Sequence, residues 1–315
     1  MANLTTKYLG LELKNPIIVG ASELTNSVDG IKELAAAGAG AVVLKSLFEE
    51  QIMHNINPDQ DFDSMGYYLN NDAVQEYLQL IKDVKAAVDI PVIASINCYD
   101  ENEWIDFAKQ MEEAGADALE INMFVMPADV NTTSEELEAN YIAIVNKLLM
   151  VVSIPVSVKL SSYFSGLANF MQALSKEGAQ GLVLFNRFYN PKVDIDNEQI
   201  ISGAVRSTPA ENANTLRWMG ILSGQLEADL SASTGIHTAE DVIANLLVGA
   251  TTTQMVSAVM NNGSEHITRV LNELTAWMDK KGYADVAAFR GKLNQKNVSN
   301  PVMFERAQFM KYFAE

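Results

Sequence analysis

Two patterns alternate along the chain. Short, continuous apolar runs are separated by longer stretches whose apolar positions recur at helical spacing, as in Trp104-Ile105-Asp106-Phe107-Ala108-Lys109-Gln110-Met111. Runs without polar alternation predict strands buried on both faces, which implies a parallel sheet. The pattern also repeats. A proline opens Pro16-Ile17-Ile18-Val19-Gly20, Pro91-Val92-Ile93-Ala94-Ser95 and Pro155-Val156-Ser157-Val158-Lys159, and a Gly-Ala pair follows each after 22 to 24 residues. Those pairs are Gly38-Ala39, Gly115-Ala116 and Gly178-Ala179, each leading into another apolar run; a fourth, Gly249-Ala250, precedes Thr253-Gln254-Met255-Val256. Glycine suits the position just past a helix, where φ is often positive, and proline suits the first residue of a strand, where no ladder donor is needed.

The repeat predicts eight strands, at 16–22, 40–46, 91–97, 118–124, 155–161, 181–187, 226–233 and 252–258. Strand alternating with helix eight times, with right-handed crossovers, closes into a (β/α)8 TIM barrel. The competing architecture is a doubly wound open sheet, but no Gly-x-Gly-x-x-Gly follows the first strand. Three connections are long: 47–86, with a turn-rich part and then a helix, 125–136, and the polar stretch 188–215. All leave C-terminal strand ends, the catalytic face of such barrels. The tail from about 264 to 315 reads as helices covering the outside.

Composition narrows the classes. The 315 residues are 48% hydrophobic and 20% charged, enough for a large core, and the length suits one barrel domain over 1–315. The net charge of −18, from 40 acids and 22 bases, opposes binding to nucleic acid or to an anionic membrane. The single cysteine, Cys98, rules out an internal disulfide and reads as a small buried residue. His54, His237 and His266 are scattered and form no metal-like pair, so no metal is expected. Met1 to Leu9 lacks the features of a signal peptide, and no uncharged apolar run approaches the roughly 20 residues that span a bilayer. The expectation is a soluble cytoplasmic protein.

Candidate chemistry gathers at the strand ends. These carry Ala21-Ser22, Lys45-Ser46, Asn97-Cys98, Asn122, Lys159, Asn186-Arg187, Ser233-Thr234-Gly235 and Ser257. A lysine among apolar strand residues needs an anionic or polar partner. Lys45 and Lys159 therefore either pair with a barrel carboxylate such as Glu120 or face a bound anion or an electron-rich ring. Ser233-Thr234-Gly235-Ile236-His237-Thr238 leads into a helical pattern, so its backbone N–H groups suit a phosphate, although Thr238 also fits a plain N-cap.

With these motifs in place, the chain resembles the class 1 dihydroorotate dehydrogenases over roughly residues 4 to 295. The likeness is carried by Asn15-Pro16, Ala21-Ser22, Lys45-Ser46, Ser64-Met65-Gly66, Ser95-Ile96, Asn122, Lys159-Leu160, Asn186, Ser233-Thr234-Gly235-Ile236, Gly249-Ala250-Thr251, Gln254, Lys280-Lys281-Gly282-Tyr283 and Phe289-Arg290-Gly291-Lys292-Leu293. The resemblance implies an FMN-containing barrel of pyrimidine biosynthesis, a cytosolic homodimer that oxidises a small substrate by hydride transfer to FMN. It places Ala21, Ser22 and Ser46 beside the flavin and Lys45 between flavin and substrate, as the catalytic candidate. Asn122 and Lys159 would meet the polar edge of the ring. Thr234, Gly235, Ile236, Ser257 and Ala258 would hold the phosphate. Asp63, Ser64, Met65, Gly66, Asn122, Asn186 and Arg187 would face the substrate.

The chain also departs from the family pattern. The family's loop after strand four reads Asn-x-Ser-Cys-Pro-Asn, and its Cys, or Ser in the other class, removes a proton. Here Asn122-Met123-Phe124-Val125-Met126-Pro127-Ala128-Asp129 offers neither. Asp63 replaces an Asn, Arg187 replaces a Ser, and the Gly-Thr-Gly-Gly-Ile motif is reduced to Ala232-Ser233-Thr234-Gly235-Ile236. Losing a general base costs on the order of 10²–10⁴ in rate. Cys98 and Tyr99 are the nearest replacement bases. The expectation is a retained cofactor shell around a rebuilt substrate shell. Two alternatives stand beside it: a flavin-binding relative without dihydroorotate turnover, and a Schiff-base aldolase using Lys159 or Lys45.

Overall fold

A computed structural model describes residues 2–48, 73–98, 105–123 and 125–307. The eight barrel strands are β3 (Ile17–Val19), β4 (Ala41–Val43), β6 (Val92–Cys98), β7 (Ala118–Met123), β8 (Val156–Leu160), β9 (Gly181–Leu184), β12 (Asp229–Ser233) and β13 (Thr252–Met255). They run parallel in the order β4-β3-β13-β12-β9-β8-β7-β6, and a pairing of β4 with β6 closes the ring. This is the expected (β/α)8 barrel, with each expected strand found inside or close to its predicted limits.

The repeat has a backbone explanation. Pro16, Pro91 and Pro155 each stand one residue before a strand, and their carbonyls accept from Thr253, Val42 and Leu119 of the neighbouring strands at 2.9, 3.1 and 2.9 Å. Each proline thus keeps its ladder acceptor at a place where a donor is not required. The four repeat glycines, Gly38, Gly115, Gly178 and Gly249, have φ of 102°, 103°, 109° and 115°. They reverse the chain out of helices α1 (Val28–Ala36), α3 (Ile105–Glu113), α5 (Leu167–Lys176) and α7 (Ala239–Val248). Helix starts are capped as their sequences dictate: Ser27 caps α1, and the Thr133/Glu136 and Thr238/Asp241 capping boxes start α4 (Ser134–Val151) and α7. Helices α2 (Ala73–Ala87) and α6 (Asn212–Leu222) complete the coat around the barrel.

The barrel interior changes character along its axis. The floor is apolar, formed by Ile18, Ala41, Val43, Ile93 and Ala118 with Tyr8, Leu9 and Leu13. The last three come from an N-terminal hairpin, β1 (Thr6–Tyr8) and β2 (Leu11–Leu13), joined through Leu9 and Gly10 with φ of 55° and 77°. Gly181 makes room for this plug, since a Cβ there would lie 2.6 Å from Leu9 Cδ2. Asp229 accepts the Leu9 N–H at 2.9 Å, and burial pushes its carboxyl above the ordinary range. Ser157, Ser231 and Thr252 lie beside the plug, Thr252 donating to Ser231 Oγ at 2.9 Å, and farther toward the mouth the buried positions become Ser95, Glu120, Lys159, Ser233 and Gln254.

The polar stretch 188–215 contains a hairpin, β10 (Pro191–Asp194) with β11 (Gln199–Ser202), and then the one-turn helix Pro209–Glu211. One expectation is corrected. The tail is helical only at α9 (Glu265–Lys281) and α10 (Val302–Glu305) among the described residues, with turns between, because Gly282 leaves α9 at φ 74°. The short β5 (Leu47–Phe48) extends the sheet beside β6, and α8 (Ser257–Asn262) follows β13 directly.

Candidate active site

One cavity over the barrel mouth, about 190 Å³, is lined by Ala21, Lys159, Asn186, Arg187, Thr234, Gly235, Ile236, Gln254 and Ser257, with Val205, Ser207, Ser233 and Val256. It shares Asn186, Arg187 and Thr234 with a second cavity of about 410 Å³ bounded by Ser161, Tyr163, Phe188 and Glu211. Together they provide space on the scale of a small-molecule site, typically about 300–1,000 Å³.

The buried cation of this cavity is Lys159, on β8. Its ammonium lies 3.2 Å from Gln254 Oε1 and 3.4 Å from Glu120 Oε1. Gln254 Nε2 donates to the other Glu120 oxygen at 2.5 Å. The side chain of Lys159 is 9% exposed and that of Glu120 is 1% exposed, so this ion pair is solvent-shielded. Lys159 therefore pairs with Glu120, as the first of its two readings expected, and it also lines the cavity.

The turn after β12 is sharply bent, with φ of 76° at Thr234 and 77° at Gly235. Thr234 Oγ1 donates to the Phe185 carbonyl at 2.9 Å, tying the turn to the exit of β9. A side chain at position 235 would place its Cβ 2.3 Å from the Asn212 nitrogen, so α6 approaches the turn too closely for any residue but glycine. Such bent backbone beside a cation suits an anion.

A strap covers this end. Arg187 Nη1 donates to the carbonyls of Ala204 at 2.7 Å and Val205 at 3.1 Å, while its Nε donates to Glu211 Oε2 at 2.8 Å. The Ser207 N–H donates to Ser257 Oγ at 2.9 Å, and Ser207 Oγ lies 3.2 Å from His237 Nε2. Arg206 Nη1 reaches Asn261 Oδ1 at 2.6 Å. Burial raises the Glu211 carboxyl, but the Thr208 N–H and Arg187 more than offset this and leave it below its ordinary value of 4.5.

The remaining predicted residues divide clearly. Asn186 Nδ2 donates to Asn122 Oδ1 at 2.9 Å, so these two amides meet, although Asn122 lines neither mouth cavity. Ser22 caps the short turn Glu23–Thr25 with its own hydroxyl, and Ala258 is fully buried in α8. Lys45 and Ser46 line a different cavity, against α2 with Tyr77 and Leu80. Lys45 Nζ pairs with Glu23 at 2.6 Å, and Ser46 Oγ is 2.8 Å from Ser95 Oγ. Lys45 and Lys159 thus do not share a cavity among the described residues. Arg187 is committed to Glu211 and the strap. Cys98 is fully buried and lines neither mouth cavity. His54, Asp63, Ser64, Met65, Gly66, Tyr99 and Phe124 lie outside the described residues.

The loop after β7 is anchored by the Val125 N–H, which donates to Tyr141 Oη at 3.1 Å. Burial pushes the Tyr141 phenol up to about 12, which makes it a donor or acceptor rather than a base near neutral pH. Beyond it Asp129 folds onto its own turn through Asn131 and Thr132. Sequence reasoning missed Gln254, Ser207 and Val205 as site residues. A polar residue inside an otherwise buried strand was the available signal for Gln254. The strap carries no such signal, because its neighbours are set by tertiary contacts.

A parallel barrel with a shielded lysine, paired amides and a bent backbone turn at the C-terminal strand ends defines an enzyme that handles a small anionic or polar-edged ligand. The chain belongs to the dihydroorotate dehydrogenase family, whose profile matches residues 3–278. It is 25% identical over 300 residues to the catalytic subunit of dihydroorotate dehydrogenase B (NAD(+)) of Thermoplasma acidophilum, covering 91% of this chain and 97% of that protein. The corresponding subunit of Methanosarcina acetivorans is 28% identical over 304 residues, covering 92% and 95%. Dihydroorotate dehydrogenase A (fumarate) of Lactobacillus helveticus is 25% identical over 309 residues, covering 93% and 99%. The protein is therefore an oxidoreductase of the dihydroorotate dehydrogenase type rather than an aldolase. No helix among the described residues is long and apolar enough to cross a membrane.

Proposed function

We propose that this chain binds FMN at the barrel mouth and oxidises dihydroorotate or a related small cyclic substrate. The carrying observation is that Lys159, Asn186, Thr234, Gly235, Ile236, Ser257 and Ala21 line one cavity. The donor set fits the cofactor: a shielded ammonium and an amide for a polar ring edge, and a bent turn beside a helix start for a phosphate. FMN, when bound, supplies the hydride acceptor; the protein's part is to orient and to tune. Lys159 presents positive charge to one edge of the ligand. The turn at Thr234 to Ile236, with Ser257, holds its anionic tail. The Asn122–Asn186 pair offers the remaining amide hydrogen-bonding capacity to a substrate with carbonyl and N–H edges. The relatives' names attach two acceptors, NAD(+) and fumarate, to such barrels.

The test has two parts. Purified protein should be yellow and release FMN on denaturation. Dihydroorotate added without oxygen should then bleach the flavin; a colourless protein that takes up no added FMN sinks the reading.

A second reading, a flavin-binding relative without dihydroorotate turnover, is favoured by one observation. The described part of the loop after β7 supplies no Cys or Ser, and Arg187 is already engaged with Glu211 and the strap. Stable yellow colour without bleaching between pH 6 and 9 would select this second reading over the first.

A further inference from the structure

We propose that Glu120 and Gln254 are positioning residues for Lys159, setting how much of its positive charge reaches a ligand in the mouth. The inference rests on reading that cavity as the FMN site.

The argument starts from register. Asn122 on β7 pairs with Lys159 on β8, and Glu120 pairs with Ser157, so Glu120 lies one inward layer below the lysine. Gln254 comes from β13, which is separated from β8 by β12 and β9. Its amide therefore reaches across the barrel interior to touch both charged partners, donating to Glu120 and accepting from Lys159. Gly20 is small where this amide passes: a Cβ there would lie 3.0 Å from Gln254 Oε1.

Stability alone gives no reason for this arrangement. Replacing a buried ion pair by apolar residues of similar volume is often neutral or stabilising. The floor of the same barrel is packed mainly by apolar side chains, among them Leu9, Leu13, Ile18, Val43 and Ile93, and its one carboxylate among the described residues, Asp229, faces no lysine ion pair. Among the ion pairs of the described residues, Lys159 with Glu120 is the most shielded, and it lies beneath the mouth. An ammonium has three donors. Gln254 takes one, Glu120 sits opposite a second at the longer distance of 3.4 Å, and Lys159 still lines the cavity. The two partners divide the work. Neutral Gln254 fixes the ammonium without cancelling its charge, whereas Glu120 masks part of that charge from below.

This division predicts opposite effects on the midpoint potential of bound FMN, a readout separate from turnover. Glu120→Gln removes the mask, so the reduced, more negative cofactor should gain about tenfold in affinity relative to the oxidised form, a shift of about +30 mV for a two-electron couple. Gln254→Met keeps the volume but frees Lys159 to close on Glu120, and the shift should be similar in size and negative. If Glu120→Gln does not fold, Glu120→Met also removes the charge and should shift the potential in the same positive direction, while Glu120→Asp, which keeps the charge, is the control expected near wild type. Shifts of the same sign at positions 120 and 254, or no shift while FMN remains bound, overturn the proposal. FMN content of the wild-type protein is measured first: its absence sinks the cofactor reading, whereas bound FMN with an unmoved potential sinks only the positioning role.

Discussion

The two lysines at the C-terminal strand ends, Lys159 within β8 and Lys45 just past β4, have very different surroundings. Lys159 is 9% exposed and locked between Glu120 and Gln254. Lys45 is 38% exposed and pairs with Glu23, itself 65% exposed. A shielded pair carries a large desolvation cost and cannot be half removed cheaply, whereas an exposed pair exchanges readily with water. One lysine is thus part of the barrel's framework, and the other is a movable charge at its rim. The side of the mouth near β8, β12 and β13 is preorganised; the side near β4 is adaptable.

The sharpest way to break this contrast is Lys159→Met. It strands the Glu120 carboxylate in the interior and should cost about 3 kcal/mol or more in urea denaturation. A loss below about 1 kcal/mol would mean that the pair is not shielded as described. Next in size is Gly235→Ala. Its Cβ would meet the Asn212 backbone at 2.3 Å in a left-handed conformation, so a loss of about 2 kcal/mol, with weakened FMN retention, is expected. Unchanged retention would separate the turn from the phosphate.

The strap supplies a third, pH-dependent test. The folded-state value of Glu211 lies below 4.5, so its contribution is full above that pH and is lost as the pH falls through the folded value. Glu211→Gln should cost about 1 kcal/mol at pH 7, and the difference should shrink toward pH 3.5. A difference that grows in acid would reverse the sign of the argument. The smallest effect belongs to Lys45→Ala, expected to change stability by less than about 1 kcal/mol, with any loss concentrated in substrate KM rather than in FMN content. Colourless Lys45→Ala protein would place this lysine in the cofactor shell after all.

The barrel was legible because its signals are local. A proline at a strand start and a glycine past a helix answer backbone requirements within a few residues, and all four repeat glycines have the expected positive φ. The hairpins were not legible. β1 and β2 have three residues each, too few to show alternation, and β10–β11 is almost wholly exposed, so no buried face imposes a period. In the site, Glu120 stood out as a partner for a strand-end lysine because a carboxylate in an apolar strand is conspicuous. Glu23 did not, because an acid in a surface turn looks like any other, and only the meeting of two strand exits brings it to Lys45. Arg187 reads as a substrate cation from its place after Asn186. Its target is instead the strap, whose path depends on the whole 188–211 excursion.

Among the described residues, the hairpin plug stoppers the end of the barrel opposite the mouth. With Tyr8 and Leu9 seated in the floor and the Leu9 N–H held by Asp229, the exposed Lys7 lies at the end opposite the mouth. A dye carried at position 7 would sit far from the mouth, so its emission should report on the seating of the plug and stay unmoved by a ligand added at the entrance.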